Sequence, residues 1–467
     1  MFVLTVKEIA QAVHARKIED AWGTVEINTV GFDSRKMTDC SLFVPLISEN
    51  DGHDFVGKAI ENGAVATFWS KSLESAPTSI PVIQVEDTLK ALQDLAAYYL
   101  NKIHPKVVGI TGSNGKTTTK DMTEAVVSSQ YRVHKTQGNF NNHIGLPITI
   151  LEMPSDTEVI ILEMGMNHAG EIKVLSDLAK PDIAIITMVG ESHIEHLGSR
   201  AGIADAKMEI ISGLKEKGIL IIPGNEPLLI ERAHSLEKKQ VKTFGPLSTN
   251  DCYSIKITPG MKETTFTTNL NPTILIKLPV TGTYNVDNAL AALSCGVALG
   301  IPVEKAALRL ATFQLTKNRT EWLEGIHEST LLNDAYNANP TAMKAVLNNF
   351  SQLKNDGRKI VVLGDMLELG KQTNELHLSM KDALSIDEVD YVVLYGAYMK
   401  VLYEALKPVF GTERLYHFDE DKEPMIAFLK KLIQPKDYVL VKSSSGTGLL
   451  SVVKALQAKE DKIKNRS

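Results

Sequence analysis

One short string constrains this chain more than any other. It is Thr111-Gly112-Ser113-Asn114-Gly115-Lys116-Thr117-Thr118, set well inside a chain of 467 residues. It follows Val107-Val108-Gly109-Ile110, a run apolar on both faces as a buried parallel strand should be. A helical pattern over 118–128 comes next. Strand, glycine turn and helix start together form the setting in which a backbone loop wraps a phosphate. Gly112 and Gly115 permit tight turns, so several N–H groups can aim at one anion. The helix start adds about half a positive charge. Lys116 is placed for the β and γ phosphates of a nucleotide, and the Thr117 hydroxyl for Mg²⁺. The general pattern has a glycine where this chain has Ile110, so the loop is a shorter T-G-x-x-G-K-T variant. The bland alternative is a glycine-rich turn with a surface lysine. It does not require strand, glycines, lysine, hydroxyl and helix to coincide.

The rhythm around the loop is α/β. Residues 1–85 read as a small α/β unit, with strands at 41–46, 64–69 and 80–85 and a short helix at 54–62 closed by Gly63. A helical pattern over 87–100 leads onward. Residues 86–316 read as the central nucleotide-binding domain. It has further buried runs at 158–162, 182–186 and 218–222, an antiparallel add-on across 251–279 and an Ala-rich helix at 287–299. Residues 317–467 repeat the rhythm, with strands expected at 329–333, 359–363, 391–394 and 438–441. This last unit looks Rossmann-like but lacks G-x-G-x-x-G. The expected fold is therefore α/β with three domains. A central doubly wound phosphate-loop domain is flanked by a small N-terminal α/β domain and a C-terminal Rossmann-like domain.

Charge narrows the partners. There are 50 Lys plus Arg against 56 Asp plus Glu, a net charge of -6, which gives no global attraction for nucleic acid or an anionic membrane. Cys40, Cys252 and Cys295 lie far apart in sequence, with neither a CxxC pair nor zinc-ligand spacing, and so sparse and odd a count fits a reducing compartment. No apolar run approaches a membrane span, and the opening Met1 to Glu8 meets charge too early for a signal peptide. A cytoplasmic protein with no membrane insertion is expected.

Four residues beyond the loop invite chemistry, each with a bland reading beside it. Glu163 ends the apolar run Ile160-Ile161-Leu162, and ligands of open α/β sheets bind outside the carboxyl ends of strands. A solvated strand-end acid is the alternative. His193 and His196 follow another strand through a loop containing Gly190, and share a face only if that piece is helical. Either could be a packing histidine. Lys207 lies beside the apolar stripe Ile203, Ala206, Ile210 and Leu214. Periodicity alone makes it a snorkelling surface lysine.

Longer strings then carry a resemblance. They are Gly109 to Thr118; Gly138-Asn139-Phe140-Asn141-Asn142-His143-Ile144-Gly145-Leu146-Pro147; and Glu163-Met164-Gly165-Met166-Asn167-His168-Ala169-Gly170-Glu171-Ile172. They continue with His193-Ile194-Glu195-His196-Leu197-Gly198-Ser199; Ala206-Lys207-Met208-Glu209-Ile210; and Asn285 to Ala292. The last is Asp334-Ala335-Tyr336-Asn337-Ala338-Asn339-Pro340. In this order the sequence resembles the Mur ligase family. The final string resembles most closely the branch that joins D-alanyl-D-alanine to UDP-N-acetylmuramoyl-tripeptide.

The resemblance implies roles. Gly112, Ser113, Asn114, Gly115, Lys116, Thr117 and Thr118 would hold ATP, with Asn288 at the adenine and Arg319 and Asp334 closing over phosphate and ribose. Lys207 would be the family's carbamylated lysine, an anion able to hold Mg²⁺. Glu163 and His193 would complete the magnesium environment, with Thr117 on the ATP-associated ion. Lys116, His193 and Lys207 are the expected catalytic residues. Ser34 and Arg35 in the first domain would take the UDP end of the substrate, together with the stretch Asp51 to Phe55. Arg35 offers a planar fork for a diphosphate, though a surface arginine in a turn would look the same. Asn142, Asn337 and Asn339 would contact substrate, the last two from the inter-domain cleft.

The implied reaction is ATP-dependent amide formation through an acyl phosphate, giving UDP-MurNAc-pentapeptide, ADP and phosphate. A monomer is expected because the cleft is self-contained. Two places depart from the family. Tyr284 stands where a His often precedes Asn285-Val286, and Lys442-Ser443-Ser444 stands where Lys-Gly-Ser is usual. The ligase that adds the third amino acid usually carries an Asp-Asn-Pro-Arg-like motif, which is absent here.

Overall fold

Val108 and Ile110 point to one side of the strand Lys106–Thr111 and Val107 to the other, and all three are buried. A strand apolar on both faces must be covered twice. On one side Val108 and Ile110 share a core with Met122 and Val126 of the helix Lys116–Val127, and with Val286 and Leu290 of the helix Tyr284–Ala298. On the other, Val107 shares a core with Leu100 of Thr88–Ile103 and Leu175 of Glu171–Ala179. The structure, a computed structural model, describes residues 3–16, 22–236, 240–316, 319–354 and 356–458. Met1 and Phe2 of the opening segment lie outside the described residues.

Three α/β units follow along the chain. The first holds a four-stranded parallel sheet in the order Thr29–Gly31, Ser41–Phe43, Ala64–Trp69, Val82–Gln84. The central sheet has nine strands among the described residues. From one edge they run Val133–Lys135, Val159–Glu163, Lys106–Thr111, Ile183–Ile186, Ile219–Pro223 and Gln240–Gly245, all parallel. Cys252–Pro259, Thr264–Thr268 and Asn271–Leu278 then extend the same sheet, the last two antiparallel. The expected add-on is thus continuous with the main sheet, because Gln240–Gly245 bridges the two parts. The third unit has six strands in the order Glu321–Glu324, Thr330–Asp334, Tyr438–Lys442, Lys359–Gly364, Tyr391–Tyr395, Leu415–Phe418, with only the first antiparallel.

This topology sets the site. The chain leaves Lys106–Thr111 toward one edge, forms Val133–Lys135 and Val159–Glu163, then crosses back to Ile183–Ile186. The phosphate loop therefore stands at the point where strand order reverses, over the carboxyl ends of the strands. The third unit presents its own carboxyl ends there, with Asp334 and Lys442 directly opposite each other in register. No helix among the described residues is long and apolar enough to cross a membrane.

Candidate active site

Gly115 ends the loop in left-handed backbone, φ 77°, and the helix begins at once at Lys116. That is two residues before the start expected from periodicity, because the polar residues of its first turn hide the apolar pattern. Thr117, Thr119, Lys120, Asp121 and Thr123 are all buried on this helix. Ser113 N–H donates to the Met188 carbonyl at 3.0 Å, stitching the loop to the neighbouring strand's exit. The Lys116 ammonium folds back and donates to the Gly112 carbonyl at 2.9 Å. Asn288 lies under the loop: its Oδ1 accepts from Thr119 at 3.1 Å and its Nδ2 donates to Asn285 at 3.1 Å.

Lys116 is the common electrostatic neighbour of the expected site. Burial lowers its pKa, Glu163 opposes that, and Arg319 adds to it. Its charge also disfavours the protonated forms of His193 and Lys207. Those couplings bring Glu163, His193, Lys207 and Arg319, from four separate segments, within electrostatic reach of one ammonium.

Glu163 is buried at the end of its strand. Its Oε1 accepts from Asn141 Nδ2 at 2.9 Å, while Oε2 has no hydrogen-bond partner and lies 3.8 Å from Lys120 Nζ. The solvated-acid reading is thereby excluded. Ser113 Oγ and Asn114 Nδ2 are likewise buried without hydrogen-bond partners. Unpaired buried polar atoms are costly, and three of them around one loop fit a polar ligand. Among the described residues no three His, Cys, Asp or Glu side chains cluster as a ready metal site. A hard cation that draws most of its oxygens from phosphate and water needs less, and Glu163 and the Thr117 hydroxyl suit it.

Lys207 is only 2% exposed, so it does not snorkel. The helix Arg200–Met208, capped by Ser199 accepting from Gly202 N–H at 3.1 Å, turns Ile203, Ala206 and Lys207 inward together. Among the described residues no carboxylate pairs with it. Desolvation, reinforced by Lys116, pushes its pKa well below the ordinary lysine value.

His193 occupies left-handed backbone, φ 61°, at the start of the short helix Ile194–Leu197. Its Nδ1 pairs with Glu368 of the third unit. Burial holds the imidazole below its usual range, with Glu368 opposing. His196 turns elsewhere and packs at a tilt against His168, ring centroids 4.5 Å apart.

The third unit meets the loop directly. Asn337 Nδ2 donates to Asn114 Oδ1 at 3.4 Å, and Asn339 Nδ2 to Ser192 Oγ at 2.7 Å. Asp334 accepts from Thr320 N–H at 3.2 Å and pairs with buried Lys442, which also donates to the Asn337 carbonyl at 3.1 Å. The guanidinium of Arg319 lies over the Tyr336 ring, 4.3 Å from its centroid. Thr118 is partly buried at the helix start.

Other expected residues are placed differently. Asn142 spends its side-chain oxygen on Ile144 and Gly145 N–H groups, at 3.1 and 2.8 Å, in the turn that leads into the helix Gly145–Leu151. Ser34 and Arg35 sit on an exposed turn of the first unit, and Asp33 takes two N–H groups of Arg35 at 2.9 and 3.0 Å. His53 is buried between Asp51 and Ser70. Sequence reasoning missed Lys120, Glu368 and the Asp334–Lys442 pair. Only the last had a readable signal, since each residue directly follows a strand expected from the sequence in the same unit.

Comparison with known proteins agrees with this geometry. Three family models match in chain order: the Mur ligase family catalytic domain at 26–100, the Mur ligase middle domain at 110–296 and the Mur ligase glutamate ligase domain at 318–445. The UDP-N-acetylmuramoyl-tripeptide–D-alanyl-D-alanine ligase of Bacillus subtilis is 44% identical over 458 residues, covering 98% of this chain and 99% of its own. The chain belongs to the Mur ligase family. Two solved Mur ligases are similar throughout. MurF from Acinetobacter baumannii superposes with a TM-score of 0.86 at 28% identity, over 97% of this chain and 98% of that one. MurF from Thermotoga maritima, solved with ADP, gives 0.81 at 26% identity, over 94% and 99%. Both span all three units of this Mur ligase.

Proposed function

We infer that this Mur ligase joins D-alanyl-D-alanine to the terminal carboxylate of UDP-N-acetylmuramoyl-tripeptide, using ATP and forming UDP-MurNAc-pentapeptide, ADP and phosphate. The observation that carries this reading is the burial of Glu163, with an unpartnered Oε2, and of Lys207 beside the loop, both with His193 within electrostatic reach of Lys116. A chain that only sensed ATP would need the loop but not those three.

A carboxylate does not condense with an amine in water, because its leaving group is poor. Its oxygen attacks the γ-phosphorus of ATP and ADP departs. The amine then adds to the acyl phosphate, loses a proton, and phosphate leaves with that carboxylate oxygen. Lys116, released from the Gly112 carbonyl, would offset the repulsion between two anions and the charge on the moving phosphoryl group. Bound Mg²⁺ would add Lewis-acid stabilisation at the phosphates. Thr117 would hold the ATP-associated ion, and Glu163 and His193 would hold magnesium together with Lys207 once carbamylated. Carbamylation needs a neutral amine to attack CO₂ with loss of one proton, and the burial of Lys207 favours that neutral form.

On the third unit, Asp334, steadied by Lys442, would meet the ribose and Arg319 the phosphates. Asn337 and Asn339 would line the acceptor cleft. On the first unit, Ser34 and the part of the Arg35 fork not used by Asp33 would meet the diphosphate of UDP. Asn142 would act indirectly, by setting the loop that carries Asn141 to Glu163.

The test is a panel of amine acceptors offered with magnesium, ATP and the lysine and meso-diaminopimelate forms of the tripeptide. D-Alanyl-D-alanine should drive phosphate release in step with a new amide. Preference for a single amino acid, or phosphate release with no amide, would refute the assignment.

A further inference from the structure

Glu368 lies in the loop after the strand Lys359–Gly364, on the third unit, with no place in the roles above. Its carboxylate lies against His193 Nδ1 across the cleft, in close contact but without an aligned hydrogen bond, and its carbonyl accepts from Glu195 N–H at 3.2 Å. Side chain and backbone thus grip the same short turn of the central unit. Gly370 presses on that turn as well: a Cβ there would lie 3.1 Å from Glu195 Cβ.

An exposed ion pair usually contributes little, and Glu368 is 45% exposed at its side chain. The backbone argues for more. Glu368 and His193 both hold left-handed conformations, φ 63° and 61°, which non-glycine residues rarely adopt. Such outliers persist where surrounding structure enforces them, and they gather at functional sites. The Glu368 loop is enforced: Leu367 N–H donates to Ser444 Oγ at 3.0 Å, Met366 N–H to His377 Nε2 at 3.0 Å, and Asp365 accepts from Met399 N–H at 2.9 Å. Glu191 flanks the contact, accepting from Thr341 N–H at 3.1 Å.

We propose that Glu368 is a positioning residue for the ligase: from the third unit it fixes the His193 imidazole, so that this side of the site is set only when the two units are seated together. The proposal rests on the function inferred above. Glu368 touches no reacting atom; it acts through His193.

Glu368→Gln and Glu368→Asn are compared with the parent enzyme; asparagine tolerates left-handed backbone, so it separates loss of charge from strain. Both variants should melt with the parent and bind ADP within about twofold. kcat should fall by about 10- to 100-fold, the range for a residue that orients a site ligand, with the KM for ATP little changed. In single-turnover assays, adding Glu368→Gln to His193→Gln should cost no more than about a further twofold, since both act through one imidazole. A further tenfold loss, or a Glu368 variant with parental kcat, overturns the proposal. A parent enzyme that forms no amide defeats the ligase reading itself, which a silent Glu368 variant would not.

Discussion

Asn288 fits against Gly115 so closely that a Cβ on the glycine would lie 2.4 Å from Asn288 Oδ1. The phosphate loop is therefore shaped by a helix 170 or so residues further along, as well as by its own glycines. The helix Tyr284–Ala298 packs along Lys116–Val127 and delivers Asn288 to the loop's turn.

Gly115→Ala should accordingly damage nucleotide binding more than folding. Left-handed backbone costs a residue with a Cβ about 1–2 kcal/mol, and the clash with Asn288 adds displacement of the loop. Calorimetry should find ADP affinity reduced at least about tenfold, the equivalent of about 1.4 kcal/mol. Unchanged affinity would mean that the loop does not grip phosphate in this conformation.

Lys116→Ala removes the ammonium at the centre of the site. Losing one preorganised electrostatic contact typically costs about 3–4 kcal/mol of barrier. Steady-state turnover should drop at least about a hundredfold. Near-parental turnover would take Lys116 out of the chemistry.

Lys207→Met should abolish activity while stabilising the unmodified fold. The folded state holds the Lys207 pKa below its unfolded value, so folding expels a proton there. Stability then rises with pH from the folded pKa up to about 10, the unfolded value, and the penalty is largest at lower pH. In CO₂-free buffer the variant should melt above the parent at pH 7, and the gap should close toward pH 10. Bicarbonate should raise the melting temperature of the parent and leave that of the variant unmoved, as mass action requires if a carbamate forms only on Lys207. A gap independent of pH would mean that Lys207 is charged and paired in the fold.

The phosphate loop was legible because one residue string carries all its physics: glycines for the turn, a lysine, a hydroxyl and a buried strand before it. Lys207 was not legible from periodicity. A lysine beside an apolar stripe reads as exposed until tertiary packing covers it, and only the family resemblance pointed inward. Glu368 gave no signal, since its contact with His193 joins positions 175 residues apart, between two units. The strands Gln240–Gly245 and Leu415–Phe418 escaped notice because each is partly exposed and mixes polar with apolar residues. Arg35 shows the opposite failure: the fork was visible in sequence, but Asp33, two residues earlier, already occupies part of it.

Thiol labelling checks the cores independently. Burial pushes Cys252 up to about 11 and Cys295 up to about 12, whereas Cys40 is partly exposed. At pH 8 the native protein should label only at Cys40, and at all three cysteines once unfolded. Rapid native labelling of Cys295 would contradict the packing of the helix Tyr284–Ala298.

The most direct measurement follows one oxygen. Tripeptide substrate labelled with ¹⁸O in its terminal carboxylate is turned over with ATP, magnesium and D-alanyl-D-alanine, and the released phosphate is read by mass spectrometry. Activation through an acyl phosphate predicts one ¹⁸O in phosphate for each amide formed. Amide formation with unlabelled phosphate would contradict it.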